Sequence, residues 1–206
     1  MSLLTLYPET SLFERTLHDL GFMHVAGMDE VGRGPLAGPV YACALILPSG
    51  ELPQGIKDSK RISEKKREKI AQELMLISRY GIGVADAETI DRINILEATK
   101  LAMRRALEAL DGEADYVLID ALELPDLMLP QRSVVKGDQL SVSIAAASIV
   151  AKYARDELMR GYEEQYPGYG FSQNKGYGTQ SHREAILSMG PTPIHRRSFL
   201  SRILEV

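Results

Sequence analysis

The sequence has few of the features that mark secreted, zinc-binding or membrane-spanning proteins. Cys43 is its single cysteine, so no intrachain disulfide can form, and no set of His and Cys residues has the spacing of a zinc site. No apolar run approaches the length of a membrane span, and the N-terminus has neither the basic flank nor the apolar stretch of a signal peptide. We therefore expect a cytoplasmic protein that does not contact a membrane.

The sequence also lacks a Gly-x-x-x-x-Gly-Lys phosphate loop and an overall surplus of positive charge. The missing loop disfavours hydrolysis of nucleoside triphosphates. The net charge of −4 argues against binding to nucleic acid, but the basic residues are concentrated in two segments. Residues 57–79 contain 8 Lys and Arg against 4 Asp and Glu, and residues 171–206 contain 5 against 2. Each segment is compatible with a phosphate-binding strip or with a solvated helix face.

The hydrophobic pattern predicts a single α/β domain with a partly parallel sheet. The 206 residues contain no internal repeat, no low-complexity segment and no long linker, and they suffice for one substantial core. Short apolar runs alternate with segments of helical spacing. Strands are predicted at His24–Met28, Pro39–Leu47, Gly81–Ala85, Tyr116–Ile119 and Ser133–Val135. Helices are predicted at Leu12–Leu20, from an N-cap at Ser63 to about Arg79, at Ile95–Leu110, and from Ser141 to about Gln165.

Two adjacent carboxylates, Asp29 and Glu30, follow the first predicted strand and precede a glycine-rich turn. Carboxylate oxygens are the ligands that hard divalent cations prefer. The turn that contains Gly32, Arg33 and Gly34 offers exposed backbone N–H groups, close approach and a planar guanidinium, all of which suit a polyanion. The alternative is an ordinary turn in which Asp caps and Gly bends the chain, so further carboxylates must decide.

Two further carboxylates follow predicted strands. Asp120 comes directly after the fourth strand, and ligand sites in open α/β sheets collect at the carboxyl ends of strands. Asp138 follows the fifth strand in a Lys-Gly-Asp turn, where capping of the next helix is the alternative use. Four converging carboxylates would repel one another unless cations neutralised them. The pattern therefore predicts a site for two Mg²⁺ or Mn²⁺ ions, which is suited to displacement at phosphorus.

The chain resembles type 2 ribonuclease H, the bacterial ribonuclease HII family, over nearly its whole length. The resemblance starts with the acidic pair and its glycine loop, and the matching segments occur in the family's order. These segments are Asp29–Val40 (DEVGRGPLAGPV), Asp58–Lys60, Ile119–Ala121, Lys136–Asp138, Ala145–Lys152 (AAASIVAK), Asn174–Thr179 (NKGYGT), His182–Arg183 and Pro193–Phe199 (PIHRRSF).

The resemblance implies an RNase H-like fold: a central mixed five-stranded sheet flanked by helices, within one catalytic domain of residues 1–206 in which residues 180–206 form a helical C-terminal extension. It implies that Asp29, Glu30, Asp120 and Asp138 are the catalytic metal ligands. It also implies an endoribonuclease that cuts RNA in RNA/DNA hybrids, and cuts 5′ of single ribonucleotides embedded in duplex DNA, leaving 3′-hydroxyl and 5′-phosphate ends. We expect a monomer, with these nucleic acids as its partners.

The resemblance further assigns residues to substrate binding. It implies that Gly32, Arg33 and Gly34 read the ribose 2′-hydroxyl, the group that distinguishes RNA from DNA. It implies that Tyr177 stacks on the following deoxyribose, although a half-buried packing role is the alternative. The basic residues in the matching segments are expected to contact phosphates, chiefly Lys60, Lys175 and Arg196, with Arg61 and Arg197 as further candidates.

Three points stay open on the sequence alone. His182 and His195 are candidate proton carriers, and both are equally compatible with surface or capping roles. A binding module that recognises hybrids without cutting them would require the loss of an acid, and none of the four is missing. A DNA-junction resolvase of the same fold would have no use for a loop that reads the 2′-hydroxyl.

Overall fold

The computed structural model describes residues 10–56 and 63–204. The strands are β1 (Val25–Val31), β2 (Val40–Ile46), β3 (Arg79–Ala85), β4 (Tyr116–Asp120) and β5 (Gln131–Val134). The helices are α1 (Leu12–Asp19), α2 (Glu64–Ile77), α3 (Ala87–Glu108), α4 (Gly137–Leu140), α5 (Val142–Gln165), α6 (Phe171–Asn174), α7 (Gln180–Met189) and α8 (Ser201–Leu204), with a 3₁₀ turn at Arg197–Phe199. No helix in the described ranges is long and apolar enough to cross a membrane.

The five strands form one mixed sheet, as predicted, and their order is β3-β2-β1-β4-β5. β1 pairs with β2, and β2 with β3, in antiparallel fashion. β1 pairs with β4, and β4 with β5, in parallel fashion, so the two kinds of pairing meet on β1. β1 is therefore the central strand, and its carboxyl end lies beside that of β4.

Helices cover both faces of the sheet. On one face α3 packs against alternate residues of β1 and β2, and the shared cluster includes Met28, Ala42 and Met103. On the other face α2 and α5 cover Cys43 and Leu45, with Leu74 and Ala146 between them. Burial on two sides explains why β2 reads as a continuous apolar run rather than an alternating one. On this second face, the first half of α5 lies directly over β1.

Side-chain caps fix where the long helices begin. Ser63 caps α2 and Ser141 caps α5, each accepting a hydrogen bond from a backbone N–H three residues on, which confirms both predicted starts. α3 begins earlier than predicted, at Ala87, because Asp86 caps it. Asn94 then interrupts α3 with a φ of 65° and caps its second half. The apolar spacing revealed only that second half.

β1 is longer than predicted, and the difference moves the acidic pair into the sheet. The parallel ladder with β4 ends at Met28, which pairs with Ile119. The antiparallel ladder with β2 continues through Asp29, Glu30 and Val31. Asp29 and Glu30 therefore have their backbones fixed on one side by β2, while the β4 side is open beyond Met28.

The C-terminal segment is helical and returns to the loop that follows β1. Ala37 forms an isolated β-bridge with His195, the Gly38 N–H donates to Ile194 O at 2.8 Å, and the Arg196 N–H donates to Leu36 O at 2.9 Å. These contacts join residues more than 150 positions apart in the sequence. They bring the basic C-terminal segment beneath the glycine-rich loop.

Gly27 is the position at which α5 touches β1 most closely. A Cβ atom there would lie 2.1 Å from the carbonyl carbon of Ser143, which is a backbone atom and cannot move aside. We expect Gly27→Ala to lower the free energy of unfolding by about 3 kcal/mol or more, measured by urea denaturation.

Gly161→Ala is the matched control on α5, because a Cβ atom there meets nothing within 4 Å. It should raise the free energy of unfolding by up to about 1 kcal/mol through helix propensity. Equal effects of the two substitutions would contradict the close approach of α5 to β1.

Candidate active site

A cleft of about 390 Å³ opens where β1 and β4 end. Its walls come from these two strands, from α2 and α5, and from the turn that follows α6. The lining residues are Asp29, Glu30, Val31, Arg67, Asp120, Ser148, Ile149, Lys152 and Tyr177. Three of the four predicted acidic ligands thus share one cleft with two basic side chains and a tyrosine.

The strand register explains why Asp29 and Asp120 are neighbours. Met28 and Ile119 form the last pair of the parallel β1–β4 ladder, so each chain continues with an aspartate at the same edge of the sheet. Side chains alternate along a strand, and Asp29 points to the same face as Gly27, towards α5. Ser148 of α5 lies beside the Asp29 side chain in the cleft and acts to lower its pKa.

Burial and neighbouring negative charge make Asp29 an unusual carboxylate. Its residue is 6% exposed. Burial, together with the charges of Glu30 and Asp120, raises the pKa of Asp29 from 3.8 to about 8, although Ser148 and the backbone N–H of Glu30 oppose the rise. Asp29 therefore holds a proton at neutral pH unless a nearby cation replaces that proton.

Glu30 and Asp120 complete the acidic wall. Burial raises the pKa of Glu30, while Arg33 opposes that rise from a distance of 3.2 Å between its Nη1 and Glu30 Oε1. Glu30 Oε2 is buried and has no hydrogen-bond partner among the described residues. Asp120 Oδ1 accepts a hydrogen bond of 2.7 Å from the N–H of Gly137.

The donor set fits a hard divalent cation by its chemistry. All its acidic members are carboxylates, the ligand type of Mg²⁺ and Mn²⁺, and the orphaned Glu30 Oε2 together with the raised pKa values of Asp29 and Glu30 marks a place where positive charge is lacking. Within residues 10–56 and 63–204, no group of three or more Asp, Glu, His or Cys side chains already has the spacing of a metal site. The fit is therefore one of ligand type and charge.

Asp138 is the one predicted acidic ligand that is not among the residues lining the cleft. It is buried in the first turn of the short helix α4. It does not cap the long helix that follows, because Ser141 does so. The preceding residue, Gly137, binds Asp120, so α4 touches the acidic wall through its backbone.

The glycine loop and Tyr177 form the rim of the cleft. Gly32 has a φ of +92°, and a Cβ atom there would lie 2.3 Å from Arg155 Nε, so this position accepts only glycine. Arg33 and Gly34 are exposed. The ring of Tyr177 is 45% exposed, and its Cε1 atom lies 3.7 Å from the ideal Cβ position of Gly34. The loop and the tyrosine therefore adjoin at the cleft entrance.

Comparison with known proteins shows to which family the chain belongs. The family model of Ribonuclease HII matches residues 26–202. Among curated proteins, the ribonuclease HII of Caldanaerobacter subterraneus subsp. tengcongensis is 48% identical over 96% of this chain and 82% of its own, and that of Desulfitobacterium hafniense is 52% identical over 90% and 72%. The chain belongs to the ribonuclease HII family.

Solved structures agree with this assignment. The ribonuclease H2 of Pyrococcus horikoshii superposes with a TM-score of 0.69 at 25% identity, covering 89% of this chain and 98% of that one. A structure of Bst-RNase HIII in complex with Mn²⁺ has the same fold, with a TM-score of 0.71 at 23% identity, covering 91% and 71%. The predicted RNase H-like fold is thus confirmed. As a member of this family, the protein is an endoribonuclease that acts on RNA/DNA hybrids.

The cleft is also lined by three residues that were not predicted as site residues: Ser148, Lys152 and Arg67. Ser148 and Lys152 are one helical turn apart on α5, so their spacing was a signal that one face of the helix carries polar groups to the site. Lys152 forms an ion pair with Asp156, and burial lowers the pKa of its ammonium group. Arg67 comes from the basic helix α2 and gives the cleft a second cation.

Two of the predicted phosphate contacts are occupied inside the protein. Lys175 is buried, and its Nζ donates to Ser172 O at 2.5 Å and lies 3.2 Å from Glu64 Oε1. Arg196 is fully buried, and its guanidinium binds backbone carbonyls of the loop after β1. In this structure both side chains are directed to protein atoms and not to solvent. Lys60 and Arg61 lie outside the described residues.

His182 and His195 are not among the residues that line the cleft, and they form a buried pair that supports Tyr177. The Thr192 N–H donates to His195 Nδ1, so His195 carries its proton on Nε2, which lies 3.1 Å from His182 Nε2. His182 Nδ1 then donates to Tyr177 O at 2.8 Å. Burial lowers the pKa of His195 to about 4 and lowers that of His182, so both rings are neutral at pH 7.

The raised pKa of Asp29 predicts a pH-dependent effect of its removal. Between about pH 4 and pH 8 the folded protein keeps a proton on Asp29 that the unfolded chain has lost, so this group destabilises the wild type increasingly as pH rises through that range. In chelator, the unfolding free energy of Asp29→Asn should exceed that of wild type by a margin that grows from pH 4 to pH 8 and then levels off.

The margin at pH 8 should be more than about 1 kcal/mol, since each unit of pKa difference contributes about 1.4 kcal/mol. Urea denaturation at a series of pH values measures it. The exposed Asp19 provides the control, and Asp19→Asn should show no such growth. A margin for Asp29→Asn that is independent of pH would contradict the buried, repelled state of this carboxylate.

Proposed function

We propose that this ribonuclease HII cuts the phosphodiester bond 5′ of a single ribonucleotide embedded in duplex DNA, and that it needs divalent cations, Mg²⁺ or Mn²⁺, to do so. The products would carry a 3′-hydroxyl and a 5′-phosphate. The main support is the cleft in which Asp29, Glu30 and Asp120 adjoin the glycine loop and Tyr177, because it combines a cation-binding wall with a rim suited to one sugar.

Asp29, Glu30 and Asp120 are the residues that would hold the cations, with Asp138 as the proposed fourth ligand of a two-ion site. When bound, such ions supply an activated water and stabilise charge on the leaving oxygen. Their positive charge would also release the proton that Asp29 otherwise retains, because a nearby cation favours the ionised carboxylate. Binding of the cations should therefore release protons near neutral pH.

The remaining cleft residues would position the nucleic acid. Lys152 and Arg67 offer positive charge beside the carboxylates, which suits the phosphate at the cleavage point. Arg33 is exposed and pairs with Glu30, so it can turn towards a phosphate once a cation neutralises that carboxylate. Tyr177 presents a half-exposed ring for stacking on a sugar.

The direct test uses a DNA duplex with one ribonucleotide, end-labelled so that the cut can be mapped. We expect cleavage with Mg²⁺ or Mn²⁺ and none in chelator, with the ribonucleotide at the 5′ end of the downstream fragment. Asp120→Asn should lower the rate by more than about 100-fold, because cation charge contributes several kcal/mol at the transition state. The exposed Asp126 gives the matched control, and Asp126→Asn should cut at the wild-type rate.

Three outcomes would contradict the proposal. Cleavage on the 3′ side of the ribonucleotide would exclude the proposed junction reading. Full activity in chelator would exclude the cation requirement. Equal cleavage of an all-deoxy duplex would exclude recognition of the ribose.

A further inference from the structure

Two arginines lie fully buried beneath the glycine loop. Arg155 of α5 and Arg196 of the C-terminal segment are both 0% exposed. A guanidinium group is costly to bury, and neither has a carboxylate within ion-pair distance among the described residues. Burial lowers the pKa of both, that of Arg196 to about 9, which still leaves Arg196 cationic at pH 7. Two unpaired buried cations need compensation from elsewhere.

Backbone carbonyls supply that compensation. The two guanidinium groups together donate to six carbonyl oxygens, five of which belong to residues 32–39. Arg155 donates to Pro39 O at 3.0 Å, Ala37 O at 3.2 Å and Lys175 O at 2.9 Å. Arg196 donates to Gly38 O at 3.0 Å, Arg33 O at 2.9 Å and Gly32 O at 2.5 Å. The two buried guanidinium groups therefore fix the backbone of the glycine loop from the inside of the protein.

Because of the peptide geometry, carbonyls that point inward to an arginine leave the following N–H groups pointing outward. In a trans peptide the C=O of one residue and the N–H of the next point in opposite directions, and the described chain has no cis peptide. Because the carbonyls of Gly32 and Arg33 point inward to Arg196, the N–H groups of Arg33 and Gly34 point away from it. Both residues are exposed, and within the described chain neither N–H donates a hydrogen bond.

These two amides are well prepared to bind an oxygen acceptor. A charged donor on a carbonyl polarises its peptide group and strengthens the N–H on the other side. The position is fixed, because Arg196 binds both carbonyls at once and Gly32 can adopt its φ of +92° without cost. Tyr177 adjoins Gly34, so an acceptor that reaches the amides would have its sugar beside the ring.

We propose that Arg196 is the positioning residue for ribose selection: by holding the Gly32 and Arg33 carbonyls from inside the protein, it aims the Arg33 and Gly34 amides at the 2′-oxygen of the ribonucleotide. Arg196 itself never contacts the substrate. This inference rests on the proposed function, and it names the side chain that makes a backbone loop selective.

The test separates positioning from folding by comparing two binding constants. Wild type, Arg196→Lys and Arg196→Met are titrated in chelator, each with a DNA duplex containing one ribonucleotide and with the same duplex in deoxy form. The ratio of the two dissociation constants measures ribose selection. The loss of hydrogen bonds to a charged group should weaken binding of the ribonucleotide duplex by about 10-fold or more.

We expect Arg196→Met to lower the ratio by about 10-fold while affinity for the deoxy duplex changes by less than about 3-fold. Arg196→Lys keeps the positive charge but lacks the planar guanidinium. Its ratio of dissociation constants should therefore lie between those of wild type and Arg196→Met. Arg105→Met is the matched control, because Arg105 also donates to a backbone carbonyl, Val84 O, but far from the loop. It should leave the ratio unchanged.

A second measurement needs no variant and covers the case in which Arg196→Met does not fold. In wild type, the backbone amide NMR signals of Arg33 and Gly34 should shift with the ribonucleotide duplex and not with the deoxy duplex. Equal shifts with both would overturn the proposal, as would an unchanged selection ratio in a folded Arg196→Met. If wild type itself neither prefers nor cuts the ribonucleotide duplex, the proposed function fails instead.

Discussion

The parallel pairing of β1 with β4 brings two aspartates together at one edge of the sheet, and the rest of the site follows from the cost of that contact. Asp29 and Asp120 each follow the last parallel pair, and Glu30 adds a third carboxylate. α5 buries Asp29 against Ser148, which removes the water that would otherwise screen the repulsion. The protein thus keeps a local deficit of positive charge at the end of its central strand. A divalent cation would remove that deficit.

The same helix connects this acidic wall to the substrate rim. α5 packs on β1 through Gly27, carries Ser148 and Lys152 into the cleft, and ends its polar stripe with Arg155 beneath the glycine loop. A single helix, α5, therefore fixes the position of the carboxylates relative to the glycine loop. The C-terminal segment completes the arrangement from the other side, because Arg196 holds the loop and His182 holds the carbonyl of Tyr177.

Local sequence patterns predicted the parts of this structure that depend on local forces. The five strands, the mixed sheet, the cap at Ser63, the start of the long helix near Ser141, and the nearness of Asp29 to Asp120 all follow from apolar runs, capping residues and strand ends. The earlier half of α3 was missed because Asn94 interrupts its apolar spacing. The resemblance to ribonuclease HII supplied the family, and the comparisons confirmed it.

The features that the sequence did not reveal concern residues whose surroundings come from distant parts of the chain. Lys175 and Arg196 were predicted as phosphate contacts because they are basic residues in the segments that resemble ribonuclease HII. Arg196 is instead covered by a loop more than 150 residues away, and Lys175 is held by Glu64 of α2. The pairing of His182 with His195 likewise depends on how two C-terminal turns pack. Nothing in the local sequence distinguishes such buried polar groups from surface ones.

The central claim is that the carboxylates of β1 and β4 together form a cation site, and a Mn²⁺ titration of thermal stability tests it most directly. A ligand that binds only the folded state raises the unfolding midpoint as its concentration increases. We predict such a rise for wild type at pH 8, and a much smaller rise for Asp29→Asn and for Asp120→Asn. An equal rise in all three proteins, or none in wild type, would contradict the account.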